Sequence, residues 1–140
     1  MLRHAEQTPV GAMMDGDPPL NETGQQRAAA LSVALKEAGI TAVVTSQYAR
    51  SRQTAEPLAR ALGLEPQTLA KDDLPALIAG LRERHAQDTV LVVAHSDTIP
   101  ALLKLWGHPA AVEVGKAEFG SLWLVVPRDG KPPLVSRIRL

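Results

Sequence analysis

At 140 residues, with 45% apolar and 21% charged side chains, the chain is long enough to bury a core and predicts one domain over 1–140. Its 15 basic and 15 acidic residues balance, so no overall positive field draws in nucleic acid or an anionic membrane, and 3% aromatic content leaves little for base stacking. The lack of cysteine excludes disulfides, thiolate nucleophiles and cysteine-ligated zinc, and it accords with a cytoplasmic location.

The chain opens MLRHAEQT. Only Met1 and Leu2 precede Arg3-His4, which predicts a very short first strand offering the histidine little support. Either that strand is abbreviated or the natural protein has residues ahead of it. No basic stretch followed by an apolar one marks a signal peptide, and no run of about 18 apolar residues predicts a membrane span.

A turn-rich loop with GDPP at 16–19 leads to Asn21, a candidate N-cap. Ala28, Leu31, Leu35 and Ala38 follow at helical spacing, with Gly39 as the stop. ITAVV (40–44) reads as a buried strand. A second helix is expected over 50–62, ending near Gly63, and kinked or restarted by Pro57. LEPQTL (64–69) suits a short strand, and Leu74, Leu77, Ile78 and Leu81 line one face of a third helix. TVLVVA (89–94) is the clearest buried strand. Ile99, Leu102, Leu103 and Trp106 mark a fourth helix stopped by Gly107. The tail reads as two strands joined at Asp129-Gly130. Alternating strands and amphipathic helices predict an α/β fold, a three-layer α/β/α sandwich around a mainly parallel sheet.

In such a fold the site lies at the carboxyl ends of the strands. The first strand ends at Arg3-His4, the second in TSQYAR with Arg50, and TVLVVA in His95-Ser96-Asp97. Parallel neighbouring strands bring two arginines, two histidines and two helix N-termini to one rim. Guanidinium forks and helix N-termini suit the charged oxygens of a phosphoryl group, and a neutral imidazole is a competent nucleophile near pH 7. That set points to phosphoryl transfer through a phosphohistidine, with the arginines supplying charge and no metal or other cofactor required.

LRHAE (2–6), DPPLNETGQQRAAAL (17–31), TSQYARSRQTAEPLA (45–59) and VLVVAHSDTIPALL (90–103) together resemble the histidine phosphatase superfamily, whose fold is phosphoglycerate mutase-like. The resemblance implies that His4 becomes phosphorylated, that Arg3 and Arg50 clamp the phosphoryl oxygens, and that His95 completes the pocket. Water then hydrolyses the phosphohistidine, whereas mutase members return the phosphoryl group to substrate. The short chain is most similar to the small bacterial phosphatases, including phosphohistidine phosphatases. It lacks the long insertions that cap larger members, so a phosphorylated small molecule or a phosphoprotein fits as partner, with inorganic phosphate as product.

Ser96 is a candidate to offer its backbone N–H to phosphate. For the leaving-group acid, Glu6, Asp15, Asp17, Asp72, Asp73 and Asp97 are candidates by position, with Asp97 and Asp73 foremost. Asp97 is expected chiefly to cap the helix that follows it. A phosphoramidate needs such an acid least. His85 and His108 are expected to be exposed. Arg27, Arg52, Arg82 and Arg84 are expected on solvated faces, Thr54 to bond within its helix, and Trp106 and Trp123 to pack. Loop 7–19, segment 65–75 and the turn near 107–118 are where specificity is expected. The rival readings are a mutase-like transferase and a catalytically weak phosphate-binding regulatory domain.

Overall fold

Val43, Val44, Leu91, Val92 and Val93 are all buried although neighbours along a strand point to opposite faces. Only strands covered on both sides permit this. The structure, a computed structural model, describes residues 1–9 and 16–140. Among them the elements run β1 (Leu2–Arg3), α1 (Glu22–Leu35), β2 (Ala42–Ser46), α2 (Ala49–Leu62), β3 (Gln67–Leu69), α3 (Leu74–Arg84), β4 (Val90–Ala94), α4 (Thr98–Leu105), β5 (Ser121–Arg128) and β6 (Lys131–Arg139).

The strands form one sheet in the order β3-β2-β4-β1-β5-β6. β3, β2, β4 and β1 are mutually parallel, while β5 runs antiparallel to β1 and to β6. On one face, Val44, Val92 and Ala94 pack with Leu77 and Ile78 of α3 and Ile99, Leu102 and Leu103 of α4. On the other, Leu2, Val43, Leu91 and Val93 pack with Leu31 of α1 and Ala55, Leu58 and Ala59 of α2. This is the expected three-layer arrangement.

β1 is as short as expected but lies inside the sheet. Leu2 pairs with Val93 on one side and Leu122 on the other. The Trp123 N–H donates to the Met1 carbonyl (2.8 Å) and the His4 N–H to the Ala94 carbonyl (3.0 Å). Support for His4 therefore comes from both neighbouring strands, which corrects the expectation of a poorly held nucleophile.

Asn21 caps α1, its side-chain oxygen accepting from the Gly24 N–H at 2.9 Å, a contact worth about 1 kcal/mol. α1 stops at Leu35, short of Ala38, and Gly39 turns the chain at φ +76°. β2 lies two residues later than the apolar run suggested, because Thr45 and Ser46 stay in the strand as buried polar residues with local hydrogen bonds. Pro57 neither ends nor restarts α2. Buried Leu58 and Ala59, seated on the sheet, hold the helix on past it. Gly130, at φ +65°, makes the turn between β5 and β6.

Both peripheral histidines are more covered than expected. The His85 side chain is 10% exposed, its Nδ1 being 2.8 Å from Asp88 Oδ2. His108 is half-buried, and its Nδ1 has no partner among the described residues. For His85, the side chains of Asp88 and Gln67 cover what local sequence made look open. Trp123 is buried and Trp106 half-buried, as packing residues should be.

Candidate active site

Because β1, β2 and β4 are parallel, their carboxyl ends open on one rim. His4 follows β1, Arg50 lies in the first turn of α2 just after β2, and His95 follows β4. His4 and His95 are both 3% exposed, and their ring centroids are 5.1 Å apart in an edge arrangement. The carboxyl-end rule thus brings the expected residues to one place.

His4 Nδ1 is 2.8 Å from the Ala5 carbonyl. A carbonyl only accepts, so Nδ1 carries the proton and the lone pair lies on Nε2. Burial lowers the His4 pKa to about 4; the Ala5 bond opposes this, and the Arg3 and Arg50 charges assist it. The ring is neutral at pH 7. His95 is lowered to about 3, again chiefly by burial, with His4, Arg50 and Lys71 adding to the effect. His95 Nε2 is engaged by Ser46 Oγ at 2.8 Å, and Ser46 Oγ lies 2.7 Å from Ser51 Oγ. That leaves Nδ1 as the ring nitrogen of His95 with no protein partner among the described residues.

The arginines are held from behind. Arg50 lies over the Tyr48 ring at 4.3 Å, and Tyr48 meets the His95 ring edge-on at 5.5 Å. Arg3 lies over Phe119 at 4.1 Å. Its Nη1 donates to the carbonyls of Gly115, Lys116 and Glu118 at 3.0–3.1 Å. Yet Arg3 Nε, Arg50 Nε and Arg50 Nη1 are buried without a hydrogen-bond partner among the described residues. A buried guanidinium nitrogen left unpaired is costly. Several of them beside two neutral imidazoles make a pocket complementary to an oxyanion.

Segments with no evident chemistry in the sequence brace this pocket. The Ala5 N–H donates to Thr54 Oγ1 (2.8 Å), which itself donates to the Arg50 carbonyl (2.7 Å). Thr54 therefore bonds within its helix, as expected, and also ties the His4 segment to α2. A Cβ on Gly24 would stand 2.1 Å from the Glu6 carbonyl, so glycine is required where α1 meets that segment. Arg27 is not on a solvated face. It pairs with Glu6 through Nε and Nη2 at 2.6–2.9 Å. Burial alone would raise the Glu6 pKa, but these bonds hold it below the usual range. Asp17 Oδ1 accepts from the Ala49 N–H at 2.8 Å, so that helix N-terminus is already occupied, and it lies 3.9 Å from Arg50 Nη1.

Asp97 does not cap α4. Its backbone is helical, its side chain makes no capping bond, and its Oδ2 instead receives Lys71 Nζ at 2.8 Å. Burial opposes ionisation of Asp97, but Lys71 outweighs it and lowers the pKa. Asp73 caps α3 by accepting from the Ala76 N–H at 3.2 Å. Ser96 is half-buried between His95 and Asp97. Asp15, and 10–15 of the loop expected to shape specificity, lie outside the described residues. Ser46, Ser51, Tyr48, Lys71 and Phe119 are site neighbours that sequence reasoning missed. Ser46 and Tyr48 sit inside the quoted TSQYAR segment, but only the pairing of β2 with β4 shows what they touch.

No group of three potential metal ligands occurs among the described residues, and no helix there is long and apolar enough to cross a membrane.

Residues 1–74 match the family described as the histidine phosphatase superfamily (branch 1). The probable phosphoglycerate mutase GpmB of Photorhabdus laumondii is 32% identical over 93 residues, which is 64% of this chain and 42% of that protein. The chain thus spans less than half the length of this curated relative. Among solved structures, the protein histidine phosphatase SixA complexed with tungstate superposes with a TM-score of 0.80 at 19% identity, covering 99% of this chain and 94% of that one. A mycobacterial glucosyl-3-phosphoglycerate phosphatase complexed with VO3 gives 0.70 at 20% identity, over 97% and 94%. At these identities the two structures speak for the fold.

Proposed function

Because the chain belongs to the histidine phosphatase superfamily, we propose that residues 1–140 act as one phosphatase domain working through a covalent phosphohistidine on His4. The observation that carries this reading is the unprotonated Nε2 of His4 beside buried guanidinium nitrogens of Arg3 and Arg50 that have no partner among the described residues. In the first step the Nε2 lone pair attacks phosphorus while the bond to the leaving group breaks. Arg3 and Arg50 hold the equatorial oxygens, and His95 completes the pocket around the phosphoryl group. In the second step water attacks the phosphorus, the P–N bond breaks, and inorganic phosphate leaves with His4 neutral again. The guanidinium charges do what a metal does elsewhere, so turnover persists in chelator.

The leaving group needs a proton or must be stable without one. Asp97 is held ionised by Lys71, Glu6 by Arg27, and Asp73 is occupied as a cap. This pattern favours substrates that leave easily: phosphoramidates, phosphohistidine in a protein among them, and aryl phosphates. Asp97 and Asp73 remain the acids to test for less reactive esters.

The test is phosphate release, with chelator present, from phosphoramidate, a phosphohistidine protein, an aryl phosphate and glycerate phosphates. Wild type should turn over at least one of them. His4→Ala should lower that rate by roughly 10⁴-fold or more. Turnover that survives loss of His4 overturns the covalent mechanism.

A further inference from the structure

We propose that Lys71 is a recognition residue for a second anionic group on the substrate, next to the phosphoryl group, and that Asp97 occupies its place in the resting protein. The proposal rests on the phosphoryl site described above and adds the class of molecule the site selects.

Lys71 follows β3, whose carboxyl end opens on the same rim as those of β1, β2 and β4. Its backbone is pinned, the Lys71 N–H donating to Gln47 Oε1 at 2.9 Å just beyond β2. Lys71 and His95 line one small cavity. The two members of the Lys71–Asp97 pair are unequal. The Lys71 side chain is 21% exposed, whereas that of Asp97 is 64% exposed. The ammonium is thus the more covered partner and the carboxylate the more solvent-exposed one. An exposed ion pair of this kind contributes little to stability, so exchanging one carboxylate for another costs little. The contact itself, 2.8 Å from Nζ to Oδ2, shows that an anionic oxygen fits against Lys71 beside the phosphoryl pocket.

Arg3 and Arg50 lack an anionic partner at hydrogen-bond distance and take the reacting phosphoryl group, while Lys71 holds an internal carboxylate. A molecule with one phosphoryl group leaves Lys71 with Asp97. A molecule with a second phosphate or a carboxylate one short bond path away displaces Asp97 and gains a charge-assisted contact. That second anion has two chemical sources: a substituent of a small phosphorylated metabolite, or an acidic side chain flanking a phosphorylated residue.

The first experiment reads binding, independently of turnover. Isothermal titration compares inorganic phosphate with pyrophosphate on wild type, Lys71→Met and Asp97→Asn. Wild type should bind pyrophosphate about tenfold more tightly than phosphate. Lys71→Met should erase that margin while leaving phosphate affinity within about twofold, and Asp97→Asn should widen it by freeing the ammonium. An equal margin in wild type and Lys71→Met overturns the proposal, as does binding of neither anion by wild type. If the margin is lost as expected but His4→Ala still turns over substrate, the recognition role stands and the covalent mechanism falls. The two sources separate in kcat/KM. A carboxylate-bearing aryl phosphate against phenyl phosphate tests the small-molecule source, and phosphohistidine peptides with glutamate or alanine neighbours test the protein source. In whichever pair shows the preference, Lys71→Met should remove it through KM, with kcat little changed.

Discussion

The parallel half of the sheet, β3-β2-β4-β1, and the antiparallel hairpin of β5 and β6 are built from similar apolar residues but serve the molecule differently. In the parallel half, Val43 and Val93 are each 1% exposed under helices on both faces. In the hairpin, Leu124 and Leu134 are 51% and 53% exposed. Parallel strands all end on the same side, so the residues that follow them, His4, Arg50 and His95, meet without any being close in sequence. Adjacent antiparallel strands end on opposite sides and cannot gather a site in this way. What the hairpin does is brace: Leu122 pairs with Leu2, and the carbonyls of Gly115, Lys116 and Glu118 just before β5 orient Arg3. The candidate site lies on the parallel half, and the hairpin braces it.

This contrast can be broken by substitution. The largest separation is expected between Arg50→Ala and Leu124→Ala. The first removes a principal charge from the pocket and should lower kcat/KM for an aryl phosphate by roughly 10²–10³-fold, as loss of an oxyanion donor does. The second should leave kcat/KM unchanged and stability within about 0.5 kcal/mol. Comparable losses of activity in both would show that the hairpin shapes the pocket directly. Next in size is Thr54→Val, which keeps the shape but leaves the buried Ala5 N–H unpaired. It should cost about 1–3 kcal/mol in urea unfolding. It should also reduce kcat more than KM is raised, since Thr54 positions His4 without touching substrate. A kcat equal to wild type would remove Thr54 from the positioning set.

A separate effect is expected on stability in mild acid. Folded His4 and His95 have pKa values lowered to about 4 and about 3 from the ordinary 6.5. The unfolded chain therefore binds more protons as pH falls below about 6.5, and stability declines from there towards pH 3–4. Above pH 7 both states hold neutral imidazoles and this contribution is flat. The urea midpoint measured from pH 7.5 to 4.5 should fall on the acid side, and His95→Gln should lessen the fall. An unchanged slope in that variant would show that His95 is not held neutral by burial.

The mainly parallel α/β fold was legible in the sequence because helical and strand periodicities alternate and each apolar run is short. The candidate site was legible for a related reason. Arg3-His4, Arg50 and His95-Ser96 stand where apolar runs stop, and the direction of parallel strands then places them together. Less legible were the limits of β2, where polar Thr45 and Ser46 remain in the strand, and the continuity of α2 through Pro57. Ser46 meets the distant His95, and α2 is held past Pro57 by burial on the sheet, neither of which local sequence reveals.

By itself, then, the sequence determined which residues lie on which face and at which strand end, since these follow from side-chain spacing along one segment. Only the tertiary structure decided the ion pairs and caps: Glu6 with Arg27, Asp17 on the Ala49 N–H, and Asp97 with Lys71. Those partners are 21, 32 and 26 residues apart. Periodicity records a residue's own face but not which distant face will meet it. Whether a carboxylate near the site is a proton donor, a helix cap or the occupant of a lysine depends on that meeting.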